Sequence, residues 1–80
     1  MREQRTLDAL SVGRNAVIER INMPQEMAVR LQALGFIPGG RIRVVHESPW
    51  GDPVAYLVCG TVIALRRRDA KQIEVTVTEA

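Results

Sequence analysis

The sequence predicts a mainly β fold, a small closed or partly closed barrel of about five strands with one short α-helix. Three observations carry this. Runs rich in β-branched residues at 15–21, 41–47, 54–59, 62–66 and 72–78 outnumber the single stretch with helical periodicity, 24–34. Two of these runs are separated only by Gly60-Thr61, the mark of a tight hairpin. Finally, 80 residues make one domain with a thin core, so the sheet has to curl to limit its exposed edges.

The elements follow in order. Residues 1–5 are polar and are expected to be a flexible N-terminus ahead of a domain spanning 6–78. Thr6 can cap a short helical turn that sends Leu7 and Leu10 inward, and Gly13 ends it. In 15–21 the candidate core residues are Val17, Ile18 and Ile21; their spacing breaks strict alternation and implies a bulge or bend. Pro24 opens the helix, Glu26 and Arg30 form an i, i+4 pair, and Met27, Leu31 and Leu34 make the apolar stripe that docks it. Gly35 suits the left-handed helix end, Phe36 and Ile37 lock that end to the sheet, and Pro38-Gly39 suits a type II turn. In the next strand Ile42 and Val44 share one face, with Arg41, Arg43 and Val45 on the other. Residues 48–53 hold two prolines and a glycine and form a loop. With Gly60 opening a type II′ turn, Cys59 faces Val62, Leu57 faces Ala64 and Ala55 faces Arg66. Arg67–Ala70 is a helical turn, and the last strand points Ile73, Val75 and Val77 inward and Glu74, Thr76 and Thr78 outward.

Composition narrows the function. One His and one Cys leave a Cys59–His46 pair as the sole nucleophilic arrangement to consider; Cys59 near a hairpin tip reads as a small apolar residue, and no enzyme is expected. There is no Cys-x-x-Cys or His-x-x-x-His spacing, and His46, Glu47 and Asp52 form at best a weak loop site, so no metal ligand and no cofactor is assigned. A single Cys excludes an internal disulfide and fits a reducing compartment. Met1–Leu10 lacks the apolar core of a signal peptide, and no apolar run approaches the ~20 residues that span a bilayer. The protein is expected in the cytoplasm, without direct membrane insertion. The Arg66-Arg67-Arg68 run suggests nucleic acid, but only Phe36, Trp50 and Tyr56 are available for stacking, and a solvated turn explains the run as well.

The hairpin is the informative oddity. Val54, Tyr56, Val58, Ile63 and Leu65 fill the core from one face, leaving Ala55, Leu57, Cys59, Val62 and Ala64 facing out. Contiguous exposed apolar surface marks an interaction site. Trp50, on a loop framed by Pro and Gly, either anchors such an interface or plugs the barrel end.

Several stretches in order carry a resemblance: Leu7-Asp8-Ala9-Leu10 followed by Gly13, Arg30-Leu31-Gln32-Ala33-Leu34-Gly35-Phe36-Ile37-Pro38-Gly39, the loop residues Pro49, Gly51, Asp52 and Pro53, and Ile63–Arg66 with Asp69-Ala70 and Ile73-Glu74-Val75. Together they resemble the FeoA family, small cytosolic accessory proteins of bacterial ferrous iron uptake. The resemblance implies an SH3-like barrel and a partner, the cytosolic part of the FeoB-type ferrous iron permease. Similar domains end some metal-dependent repressors; the chain leaves no room for a helix-turn-helix, so a repressor is not expected. Ala55, Leu57 and Cys59 are apolar where relatives often carry polar residues.

The leading expectation is therefore a non-enzymatic accessory or regulatory protein of ferrous iron transport. Leu57, Val62, Trp50, Ala55 and Cys59 are its candidate contacts, and Arg66, Arg67 and Arg68 an electrostatic rim. Arg30, Leu31, Leu34, Gly35, Pro38 and Gly39 serve as a structural platform. Self-association through the Val54–Arg66 hairpin is a second expected use of the same surface. The alternatives are a nucleic-acid module built on Arg66–Arg68 and a transition-metal-responsive binding domain.

Overall fold

The computed structural model describes residues 3–78. Six strands, β1 (Glu3–Thr6), β2 (Asn15–Ile21), β3 (Arg41–Glu47), β4 (Val54–Val58), β5 (Thr61–Leu65) and β6 (Ile73–Thr78), form one antiparallel sheet in the order β1-β6-β2-β3-β4-β5. A 3-10 turn spans Leu7–Ala9, helix α1 spans Gln25–Ala33 and a one-turn helix α2 spans Arg67–Ala70.

The sixth strand is β1, in a segment expected to be loose. Glu3 to Thr6 pair with Val77 to Glu74 through the backbone. Glu-Gln-Arg-Thr has no apolar alternation because an edge strand with exposed side chains needs none. Residues 1 and 2 lie outside the described residues.

The anticipated bulge in β2 is present. Register slips between Ile18 and Arg20. There the chain after α1 takes over the pairing: the Ile18 N–H donates to Gly40 O at 2.9 Å and Gly39 N–H to Ile18 O at 2.7 Å. Ala16 and Ile18 face the core, and the bulge brings Ile21 back toward it. Val17 therefore stands on the outer face, correcting its assignment to the core. A second bulge lies between Val44 and His46. Both bend the sheet around a core of Leu7, Ile18, Phe36, Ile42, Tyr56 and Ile73, among others. Thr76, expected outward, is covered by its neighbours on the outer face, and its hydroxyl donates to Glu19 Oε2 at 2.5 Å.

Helix α1 docks on less than its stripe. Leu31 is buried, but Met27 is 38% and Leu34 48% exposed. The helix ends at Leu34, and the Phe36 N–H turns back to Leu31 O at 2.9 Å. Phe36, fully buried, thus takes the place expected for Leu34, while Ile37 stays exposed rather than locking the helix end. Glu26 and Arg30 are both exposed and make no ion pair with each other.

The hairpin turns one residue earlier than expected. Its loop is Cys59-Gly60, both with positive φ (50° and 75°), the pattern of a type I′ turn. Leu57 therefore pairs with Val62, Ala55 with Ala64 and Val58 with Thr61. The shift moves each partner by two residues, so both faces keep their composition. The turn packs against the end of α1. Gly35 has φ +109°, and a Cβ there would stand 2.8 Å from Cys59 Sγ and 3.0 Å from Val58 Cγ1.

Gly35 thus meets two demands at once, backbone conformation and space. Gly35→Ala is expected to cost about 1–3 kcal/mol of stability, the range for strained backbone positions. Urea denaturation measures it, and amide resonances of residues 58–60 should move with it.

Candidate docking surface

On the outer face, register sets the geometry. Asn15 pairs with Arg43, Arg43 with Leu57 and Leu57 with Val62, so these four side chains form one row across β2, β3, β4 and β5. Beside it, Val17 pairs with Arg41; on the other side His46 pairs with Ala55 and Ala55 with Ala64. The apolar end is open, with Val62 61% exposed, Ala64 exposed, and Leu57 and Ala55 half-buried. Among the described residues no other element covers it. A shallow groove of about 310 Å³ opens between Asn15, Arg41, Arg43, Leu57 and Cys59.

The candidate residues thus divide. Leu57, Val62, Ala55 and Cys59 come together, Cys59 as an exposed free thiol whose Sγ lies 3.9 Å from Gly35 O. Cys59 and His46 do not meet: His46 sits opposite Ala55, four residues from Cys59, or roughly 13 Å along the strand. Among the described residues no three His, Cys, Asp or Glu side chains gather as a metal site. His46 is on the outer face, whereas Glu47, paired with Val54, lies on the opposite one. None of the described helices is long and apolar enough to cross a membrane.

The arginine run divides as well. Arg67 turns into the fold. Its guanidinium donates to the Gly51 carbonyl through Nε, to Asp8 O at 2.8 Å through Nη1, and lies 3.3 Å from Glu47 Oε1 through Nη2. The Arg67 backbone N–H donates to Asp52 Oδ1 at 2.9 Å, satisfying the start of α2. The planar fork, half-buried, is engaged by two carbonyls and a carboxylate of its own chain, which sets Arg67 apart from its two neighbours in the run. Arg66 and Arg68 remain exposed.

The same clamp fixes the loop that carries Trp50. The Gly51 N–H donates to Ser48 O at 2.7 Å, the Ser48 N–H to Pro53 O at 3.2 Å, and the Asp52–Pro53 peptide is cis. Trp50 is 93% exposed and so plugs nothing. Beneath the loop lies Tyr56, 1% exposed, its phenol pushed up to about 12. Burial is the main cause; Arg67 opposes it, and Asp8, Asp52 and Glu47 reinforce it.

Sequence reading missed Arg41 and Arg43 as part of this surface. Their outward direction was legible from alternation, but their place beside Leu57 depends on the β3–β4 register, which the bulge between Val44 and His46 interrupts.

A curled antiparallel sheet with one peripheral helix and an uncovered outer face defines a small SH3-like β domain. The chain belongs to the FeoA domain family, whose profile matches residues 5–77. It is 31% identical over 70 residues to a putative Fe(2+) transport protein A of Campylobacter jejuni, covering 88% of this chain and 95% of that one. It is 39% identical over 69 residues to an Fe(2+) transport protein A/Fe(2+) transporter FeoB fusion protein of Porphyromonas gingivalis; that match covers 86% of this chain but spans only 8% of the fusion protein. Among solved structures, FeoA of Chlorobium tepidum superposes with a TM-score of 0.88 at 27% identity, covering 92% of this chain and 70% of that one. Stenotrophomonas maltophilia FeoA complexed with zinc, described as an SH3 domain protein, gives 0.76 at 35% identity, covering 88% and 87%. A manganese-dependent transcriptional repressor shares the fold at 20% identity with a TM-score of 0.84, covering 94% of this chain and 37% of that one.

Two predictions concern the clamp. Arg67→Lys keeps the charge but not the fork, and is expected to lose about 1–2 kcal/mol, with Arg67→Met losing about 2–3 kcal/mol. Most of that is lost hydrogen bonding, because the exposed Glu47 pair contributes little. Urea titrations give both values. The Tyr56 phenol is held protonated in the folded state beyond its ordinary value of 10, so the folded protein keeps a proton the unfolded chain releases. Stability should therefore fall as pH rises from about 10 to about 12, by at most about 1.4 kcal/mol per pH unit. Alkaline melts of Tyr56→Phe should lack that component.

Proposed function

We propose that this protein is a non-enzymatic accessory or regulatory protein of ferrous iron transport, acting in the cytoplasm by docking on the cytosolic part of a FeoB-type permease. The observation that carries this reading is the Porphyromonas gingivalis relative, in which a transport protein A segment and a FeoB transporter are one polypeptide. Covalent linkage keeps two modules at high effective concentration, which is useful when they engage one another.

The structure supports docking by supplying a surface for it. Leu57, Val62, Ala55 and Ala64 leave an apolar strip open to solvent, and the clamped Trp50 loop presents an indole on a fixed backbone. Preorganised aromatic anchors lose little freedom on binding. Arg66 and Arg68 provide an outlying positive rim. A docked domain shifts its partner only by binding one state more tightly than the other. A specific observation disfavours the nucleic-acid reading: the Arg67 guanidinium is already engaged by Gly51, Asp8 and Glu47, and among the described residues the outer face of the sheet carries no aromatic residue.

The test is capture of the purified protein by the cytosolic domain of the permease. Leu57→Asp should weaken capture at least about tenfold, or ~1.4 kcal/mol, while preserving the fold, because Leu57 is only half-buried. Trp50→Ser should weaken it without lowering stability. Unchanged capture by both variants, or sedimentation showing that the protein is a dimer dissociated by Leu57→Asp, would assign the strip elsewhere.

A further inference from the structure

Among the described residues the outer face carries exposed arginines with no ion-pair partner, and two of them, Arg41 and Arg43, line one groove. Arg5 pairs with Glu3 and Arg67 with Glu47. Arg41 and Arg43 are exposed and make no ion pair or side-chain hydrogen bond among the described residues. They stand two residues apart on one strand, so their stems leave the same face with roughly 7 Å between Cα atoms. They border the groove with the Asn15 amide on the β2 side and Leu57 on the β4 side.

This is a mixed site with defined chemistry. Two guanidiniums on one face offer forked donors, the geometry that matches carboxylates, and Asn15 adds an amide. An apolar wall formed by Leu57 and Val62 flanks them. The spacing of Arg41 and Arg43 equals that of alternate side chains in an extended peptide, all of which point one way. We infer that Arg41 and Arg43 bind an extended acidic segment of the partner, carrying carboxylates at alternate positions, with a neighbouring apolar side chain resting on Leu57 and Val62. Charge complementarity selects the occupant: the groove offers two unneutralised cations and no aromatic for a base to stack on. The inference rests on the docking reading above and names the chemistry of the docked segment.

The experiment uses the whole chain, labelled with ¹⁵N, titrated to millimolar concentration with an acetylated, amidated pentapeptide Glu-Ser-Glu-Ser-Leu. The Asn15 side-chain amide, the Arg41 and Arg43 Nε–H signals and the Leu57 and Val62 amides are expected to shift together. The Gln-Ser-Gln-Ser-Leu peptide should bind at least tenfold more weakly, and added salt should weaken the acidic peptide. Arg43→Glu should abolish the shifts and Arg43→Gln reduce them; both project from the surface, and a dispersed spectrum verifies folding. Equal shifts with the glutamine peptide, or none at Arg41 and Arg43, overturn the inference. So does a uridine oligonucleotide that shifts the same signals more strongly than the peptide, since that assigns the arginines to phosphate.

Capture by the permease domain separates this inference from the docking reading. Loss with both Leu57→Asp and Arg43→Glu supports both. Loss with Leu57→Asp and unchanged capture with Arg43→Glu overturns the carboxylate site and leaves docking standing. Unchanged capture with both variants overturns the two together.

Discussion

The Arg67 guanidinium joins parts of the chain that share no strand pairing. Through its two bonded carbonyls and one carboxylate it connects the 3-10 turn at Asp8, the loop at Gly51 and the end of β3 at Glu47, while its own backbone begins α2 against Asp52. Leu7 and Ala70 anchor the 3-10 turn and α2 in the core, while the loop at Gly51 is held to them by the Arg67 bonds. In a domain this small the core cannot extend under every loop, so a charged side chain with a planar fork does what burial does elsewhere. Tyr56 lies under the same assembly, and its resistance to ionisation reflects how dry that end of the sheet is. The rigid presentation of Trp50 follows from this, since the residue next to it supplies one of the bonded carbonyls.

The opposite side of the sheet is organised by a shortage. The core takes Val54, Tyr56 and Val58 from β4, and none of the described elements covers Leu57, Val62 and Ala64. Helix α1, the longest described helix, turns Leu31 to the core, and just after it Phe36 joins the core while Gly35 stands beside the hairpin tip at Cys59. An apolar strip edged by Arg43 and Arg41 is the surface on which the proposed docking rests.

Much of the fold was legible in the sequence because β structure with one buried face writes a period of two. The strands at 41–47, 54–58 and 73–78, the bulge in β2 and the glycine after α1 all follow from local pattern. Strand β1 was not legible, because Glu-Gln-Arg-Thr carries no apolar alternation and its pairing uses backbone alone. The hairpin turn was displaced by one residue because Gly60 serves either turn type, and Cys59 accepting a positive φ is something no propensity signals. The apolar composition of the outer face survived that error, since a two-residue change of partner preserves the side each residue faces. The engagement of Arg67 was not legible for a different reason. Three consecutive arginines look alike in sequence, and only the loop folding back to offer Gly51 and Asp8 distinguishes the middle one.

Antiparallel pairing of β1 with β6 sets Glu3 directly across from Val77. The two ends of the domain therefore emerge side by side at one corner. A longer polypeptide can carry such a unit as a pendant, entering and leaving at nearly the same point, without the attachment having to cross the sheet. Mechanical load applied through both connections would act on the β1–β6 ladder and leave the hairpin, separated from the anchorage by β2 and β3, undistorted.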